Sequence, residues 1–242
     1  MLTLRSLIFN IAFMGWSFFA AFLLSPYFLG PARTCQKVGP IWARVSLWLA
    51  RHIAGMTYEI RGREHIPQGP AIYASKHQSA WDTVIFHLLF DRAAFVLKRE
   101  LLRIPCWGWY LWRMQMIAID RSAGSSSIKH MIKQSKAALA DGRPIIIFPE
   151  GTRTRPGATP DYQPGIAAMY AMLDAPVVPV ALNSGLYWGK DAFIKKPGKL
   201  ILEFLPAIPA GLDKQVFLQQ LQERIETASD RLRHEVTLTN RT

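Results

Sequence analysis

Cysteine is nearly missing from this chain, which carries only Cys35 and Cys106. Two thiols exclude a disulfide framework and any metal site built from cysteine alone, and they suit a reducing compartment. Acidic side chains are also scarce, 17 Asp and Glu against 29 Lys and Arg, which leaves a formal net charge of +12. Such a surplus selects anionic company: nucleic acid, an acidic membrane surface or a phosphorylated substrate. Charge disappears altogether from Ser6 to Ala32, where no Asp, Glu, Lys, Arg or His occurs. Internal repeats, low-complexity tracts and long linkers are lacking too. The chain reads as one large domain with a short appendage.

The appendage is the uncharged stretch. Leu7 to Leu24 would span roughly 27 Å as a helix, close to the hydrocarbon thickness of a bilayer. A signal peptide fits less well, because only Arg5 precedes the run, the run is too long, and no Ala-x-Ala site follows. Pro26, Gly30 and Pro31 interrupt the helix, and a second segment runs from Ile41 to Met56. Ile41, Trp42, Val45, Trp48, Leu49 and Ile53 share one side of it at helical spacing, with Arg44 and Arg51 on another. That pattern suits either a helix in the headgroup layer or one packed on a globular core. The two segments form either a span with an interfacial helix or a hairpin dipping into one leaflet. Residues 1–56 are therefore read as membrane-embedded or membrane-associated helices. Arg33, Lys37, Arg44 and Arg51 all follow the apolar run, which places the remainder on the cytoplasmic face of the inner (plasma) membrane.

Residues 57–242 alternate strand and helix patterns. Strands are expected at Thr57–Arg61, Ala71–Ala74, Ala93–Leu97, Met116–Ile119, Pro144–Phe148, Val177–Ala181 and Lys199–Leu205. Helical periods fall near Thr83–Phe90, Pro105–Arg113, Ser125–Asp141, Ile166–Leu173 and Asp213–Glu235. The alternation predicts an α/β domain: a single, mostly parallel sheet of about seven strands covered by helices. Such sheets bind ligands beyond the carboxyl ends of their strands. Four post-strand loops carry ionisable residues there: Ser75–Asp82, Lys98-Arg99-Glu100, Asp120-Arg121 and Pro149–Arg153.

His77 and Asp82 are the most specific pair. Five residues apart in one helix, they would be rotated by about 140° and could not meet. They meet if His77 lies in the loop, Ser79 caps the helix, and Asp82 sits in its first turn. A carboxylate there fixes the imidazole tautomer and leaves the other nitrogen free to take a hydroxyl proton. No Gly-x-Ser-x-Gly elbow is present and Cys106 lies in an apolar aromatic stretch, so the activated hydroxyl belongs to the substrate. Gly151 permits close backbone approach, and Arg153 offers a planar fork suited to phosphate.

These residues carry a resemblance. His77-x4-Asp82, Ile119-Asp120-Arg121, Phe148-Pro149-Glu150-Gly151-Thr152-Arg153 and Val178-Pro179, in this order, are similar to the four blocks of the glycerolipid acyltransferase family. They resemble most its branch of 1-acyl-sn-glycerol-3-phosphate acyltransferases. The resemblance implies acyl transfer from acyl-CoA or acyl-carrier protein to the sn-2 hydroxyl of lysophosphatidic acid, giving phosphatidic acid. It implies His77 as base and Asp82 as its partner. Glu150, Gly151, Thr152 and Arg153 would hold the acceptor, with Arg153 on its phosphate, and Lys98 and Arg121 as further basic contacts. Val178 and Pro179 would shape the acyl pocket. Because the donor thioester is already activated, neither metal nor cofactor is implied, and backbone N–H groups near His77 or Gly151 would face the oxyanion. Gln115 and Gln163 depart from the glycine and lysine often found at those positions. Other acceptors, such as a lyso-ornithine lipid, and a non-enzymatic, basic membrane-lipid scaffold are the alternatives. A nucleic-acid partner is not expected, since zinc spacing, an RNP-like strand and a basic tail are all missing.

Overall fold

A computed structural model of the chain describes residues 1–120, 123–158 and 160–239, the last three without their side chains. Seven strands form one sheet: β1 (Met56–Arg61), β2 (Ile72–Ser75), β3 (Ala94–Lys98), β4 (Ile117–Ile119), β5 (Ile145–Ile147), β6 (Val177–Leu182) and β7 (Gly198–Phe204). Their order is β1-β7-β6-β2-β5-β3-β4, and every pair is parallel except β6 with β7. The expected mostly parallel sheet of seven strands is what the chain forms, with each strand within a residue or two of its pattern.

Side chains alternate across the sheet with the two-residue period of a strand. Tyr73, Phe95, Ile146 and Val178 point to one face, and Ile72, Ala94, Ile145, Ile147 and Val177 to the other. Both faces are covered, which is why β5 and β6 are apolar throughout and β2 is wholly buried. On the first face lie α4 (Val38–Leu49), extended by a wide turn at Ala50–Ala54, and α5 (Ala80–Leu89), with α1 (Leu2–Leu23) packed beyond α4. The short helices α2 (Ser25–Leu29) and α3 (Ala32–Cys35) connect α1 to α4. The second face holds α7 (Gly124–Ala140), α8 (Gly165–Met172) and α9 (Lys214–Thr239), while α6 (Trp107–Arg113) precedes β4.

The N-terminal helices do not stand away from the domain. Phe9 and Phe13 of α1 meet the Trp188 ring edge-on at 4.9 and 5.0 Å. Near one end of α1, Arg5 Nε donates to Ile53 O at 3.0 Å, and the Ser6 hydroxyl accepts from Lys195 N at 2.9 Å. Near the other end, Ala21 O accepts from the Tyr110 hydroxyl at 2.7 Å. The opposite side of α1 presents Leu4, Ile8, Ile11, Phe18 and Phe22, each about half exposed or more.

Helices α4 and α5 approach closely at Gly39, where an added Cβ would lie 2.4 Å from His87 Nδ1. His87 is enclosed there by the Trp42 and Phe95 rings, and burial pushes its pKa from 6.5 down to about 4. The folded chain holds this imidazole neutral, whereas the unfolded chain protonates it below its ordinary pKa. Its contribution is therefore complete above pH 6.5 and is lost as pH falls toward 4. The loss by pH 4 amounts to roughly 3 kcal/mol. Denaturant titrations at pH 7 and pH 4.5 should show a shallower acid-side decline for His87→Leu than for the wild type; equal declines would refute this.

Candidate active site

Strands β6, β2 and β5 are neighbours and parallel, so the loops leaving their carboxyl ends converge. These loops begin at Lys76, Phe148 and Asn183. Ser79 is the N-cap of α5, its hydroxyl accepting from Trp81 N at 3.0 Å, and Asp82 completes a capping box as the third helical residue. That turn brings Asp82 back toward His77: Nδ1 of the imidazole lies 3.0 Å from Asp82 Oδ2.

Asp82 is wholly buried and saturated with donors. Oδ2 also accepts from Gln78 N at 2.7 Å and Ser79 N at 2.8 Å, while the Ser184 hydroxyl donates to Oδ1. An acceptor-only carboxylate requires the proton on His77 Nδ1, which leaves Nε2 with a free lone pair. The imidazole stacks on Phe148 at 3.9 Å with an interplanar angle of 16°, and its side chain is 15% exposed. One edge of the ring is thus held by Asp82 and one face by Phe148.

The peptide of His77 is gripped from both sides. Its N–H donates to Glu150 Oε1 at 3.0 Å, and its carbonyl accepts from Thr154 N at 2.8 Å. The Thr154 hydroxyl donates to Glu150 Oε2, closing the loop. Glu150 is therefore turned inward onto the His77 peptide, and burial raises its pKa while the Lys76 charge opposes the rise. Gly151 turns at φ +69°, a conformation costly for residues with a Cβ, and its N–H donates to Phe148 O at 2.9 Å. Both N–H groups expected to face an oxyanion, those of His77 and Gly151, are thus engaged within the protein.

Thr152 is exposed, and Arg153, one residue before the Thr154 clasp, extends along the surface with Nη2 3.3 Å from Asp191 Oδ1. Lys98 is exposed at the carboxyl end of β3, and after β4 Asp120 pairs with Arg99 at 3.3 Å. Arg121 lies outside the described residues. Val178 and Pro179 are buried within β6, beside the central strand β2, Val178 among core side chains that include Tyr73, Ile146 and Phe204. Lys76, Thr154, Ser184 and Glu226, all attached to this cluster, were not singled out by sequence pattern. Among the described residues, no group of three His, Cys, Asp or Glu side chains is placed to hold a metal ion.

A family model described as acyltransferase matches residues 57–183, which contain His77, Asp82 and the Glu150–Thr154 loop. The chain belongs to the acyltransferase family. A 1-acyl-sn-glycerol-3-phosphate acyltransferase of Pseudomonas aeruginosa is 40% identical over 185 residues, covering 76% of this chain and 72% of that protein. A human 1-acyl-sn-glycerol-3-phosphate acyltransferase alpha is 28% identical over 235 residues, covering 93% and 78%. The crystal structure of the 1-acyl-sn-glycerophosphate (LPA) acyltransferase from Thermotoga maritima superposes with a TM-score of 0.77 at 20% identity, covering 96% of this acyltransferase and 98% of that chain. At that identity the likeness is one of fold, and it extends through the N-terminal helices as well as the sheet.

Proposed function

We propose that this acyltransferase moves a fatty acyl group from an acyl thioester, acyl-CoA or acyl-carrier protein, to the sn-2 hydroxyl of lysophosphatidic acid, producing phosphatidic acid. The observation that carries the reading is the 3.0 Å contact of His77 Nδ1 with a buried, saturated Asp82, at the carboxyl edge of a parallel sheet. Nε2 of His77 takes the acceptor's hydroxyl proton as the oxygen attacks the thioester carbonyl. The tetrahedral intermediate expels the thiolate, which receives that proton from the imidazolium held by Asp82. No covalent enzyme intermediate is required, because the thioester is already activated.

Glu150 acts through the backbone, holding the His77 peptide, and Arg153 reaches outward for the acceptor phosphate. A guanidinium grips a phosphomonoester with two parallel charge-assisted hydrogen bonds, and lysine keeps the charge but loses the fork. Losing one such bond is worth about 1.5–3 kcal/mol, so Arg153→Lys should lower kcat/KM for lysophosphatidate roughly 10- to 100-fold. The donor KM should change little. A panel assay with phosphate-bearing and phosphate-free lysolipids, including lyso-ornithine lipid, tests the assignment. Equal loss on both kinds of acceptor would make Arg153 structural and move the phosphate-free acceptor up.

The apolar outer side of α1 supports attachment to a single leaflet, with both ends of the helix tied to the domain and the cytoplasm on its other side. Of the helices described, this one alone is long and apolar enough to cross a bilayer. Its N-terminal and C-terminal hydrogen bonds to the domain leave it lying along the protein. Burial of apolar side chains in acyl chains resists salt, whereas a purely basic attachment does not. High salt should therefore leave the wild type on membranes, and replacing Ile8, Ile11, Phe18 and Phe22 together by Gln should release folded protein. Release of the wild type by salt alone would overturn this attachment.

A further inference from the structure

Beneath the His77 loop lies a buried ion cluster that the acyl-transfer chemistry leaves unused. Lys76, 1% exposed, directs Nζ to both oxygens of Glu226 at 2.8 and 2.7 Å and to Glu150 Oε1 at 3.4 Å. The Tyr162 hydroxyl donates to Glu226 Oε1 at 2.9 Å. Glu226 belongs to α9, 150 residues away in the chain from Lys76.

Burying a lysine is expensive, and a well-packed apolar replacement for a buried ion cluster is often neutral or stabilising. Stability alone is thus a weak reason for charge here. The geometry supplies another one. Glu150 Oε1 accepts from the His77 N–H at 3.0 Å and pairs with the Lys76 ammonium at 3.4 Å, so the lysine's charge holds the oxygen that grips the His77 peptide. Lys76 in turn is oriented by the bidentate Glu226. Its own backbone is pinned as well, since Lys76 N donates to Val180 O at 2.9 Å.

We infer that Lys76, Glu226 and Tyr162 are positioning residues that hold Glu150 against the His77 peptide, making the C-terminal helix α9 part of the catalytic unit. The inference rests on His77 being the base, as proposed above. None of the three touches substrate. Their effect passes through the orientation of Glu150 to the placement of His77 Nε2. Displacement of a reacting group by about 1 Å lowers turnover by about 100-fold, so even a partial loosening is measurable.

The test uses the full-length protein and begins with Glu226→Gln, which keeps the shape and removes the charge, and Tyr162→Phe, which removes one hydrogen bond. Glu226→Gln should reduce kcat by about tenfold or more, with KM for lysophosphatidate and for the acyl thioester within about twofold. Tyr162→Phe should follow in the same direction with a smaller drop. If the effect passes through Glu150, Glu226→Gln should change kcat by less than about twofold in a Glu150→Gln background. Nitrogen-15 resonances of the His77 imidazole, which require no substrate, should shift in Glu226→Gln. Additive losses in the double variant, or a lowered melting temperature with unchanged kcat and resonances, would overturn the inference. Should the wild type fail to acylate any lysolipid, the functional reading falls, and the resonance shift still decides whether Glu226 reaches His77.

Discussion

Replacing His77 with alanine should lower turnover by at least about three orders of magnitude while the fold persists. The loss follows from position. His77 Nδ1 is committed to Asp82 and Nε2 is the lone pair left over, on a ring clamped by Phe148. His87 is enclosed near the far end of α5 and cannot replace it, and His130 lies on α7, on the other face of the sheet from α5. The fold should tolerate the change because the grip on this loop is made by the His77 peptide, through Glu150 and Thr154, and not by the ring. Turnover of lysophosphatidate with an acyl thioester, measured beside circular dichroism and the melting temperature, checks the outcome. A folded His77→Ala protein with near wild-type kcat would place the base elsewhere.

The legible parts of this molecule are those written in local chemistry. Strand and helix periods located all seven strands, because the central ones are short, almost wholly buried runs and the outer ones β-rich runs bounded by turn residues. The His77–Asp82 contact was readable from spacing, since only a loop followed by a capped first turn lets residues five apart meet. Pairings made by the fold were not readable. Nothing in the stripe Phe217, Leu221, Ile225 marks the adjacent Glu226 as a partner for Lys76, because the juxtaposition depends on how α9 crosses the sheet. Ser184 left a faint signal: Asn183-Ser184-Gly185 follows a strand end, as the other site loops do. Thr154 follows the Glu150–Arg153 run directly, and its clasp on His77 O needs the β2 and β5 loops to be adjacent.

Three polar groups of the site loops take partners within the protein for a shared reason. Glu150 was expected to face the acceptor, and the N–H groups of His77 and Gly151 to face an oxyanion. Sequence gives the residue type but not its direction, and the buried loop demanded partners for its own peptide groups first. A carboxylate beneath two post-strand loops satisfies His77 N–H and the Thr154 hydroxyl together, and Gly151 N–H closes its own turn on Phe148 O.

Asp82→Asn should separate orientation from charge at the same carboxylate. Two backbone donors, Gln78 N and Ser79 N, converge on Oδ2, so the amide oxygen of asparagine must take that position. Its NH2 group then falls where Oδ1 was and meets the Ser184 hydroxyl, which can rotate to accept. The helix cap, the loop and the proton on His77 Nδ1 are all preserved. What is lost is the negative charge that stabilises the imidazolium formed as the hydroxyl proton is taken. Turnover should therefore fall by about two orders of magnitude, while KM and the melting temperature stay close to wild type. Asp82→Ala is the contrasting variant. It orphans the buried N–H groups of Gln78 and Ser79 and removes half of the capping box, with a loss of stability of about 2–4 kcal/mol beyond any effect on rate. Because His77 and Asp82 work as one unit, Asp82→Asn introduced into His77→Ala should leave the residual rate unchanged. A further drop in that double variant would mean that Asp82 serves the reaction by a route other than the imidazole, and the division of labour between base and carboxylate would have to be redrawn.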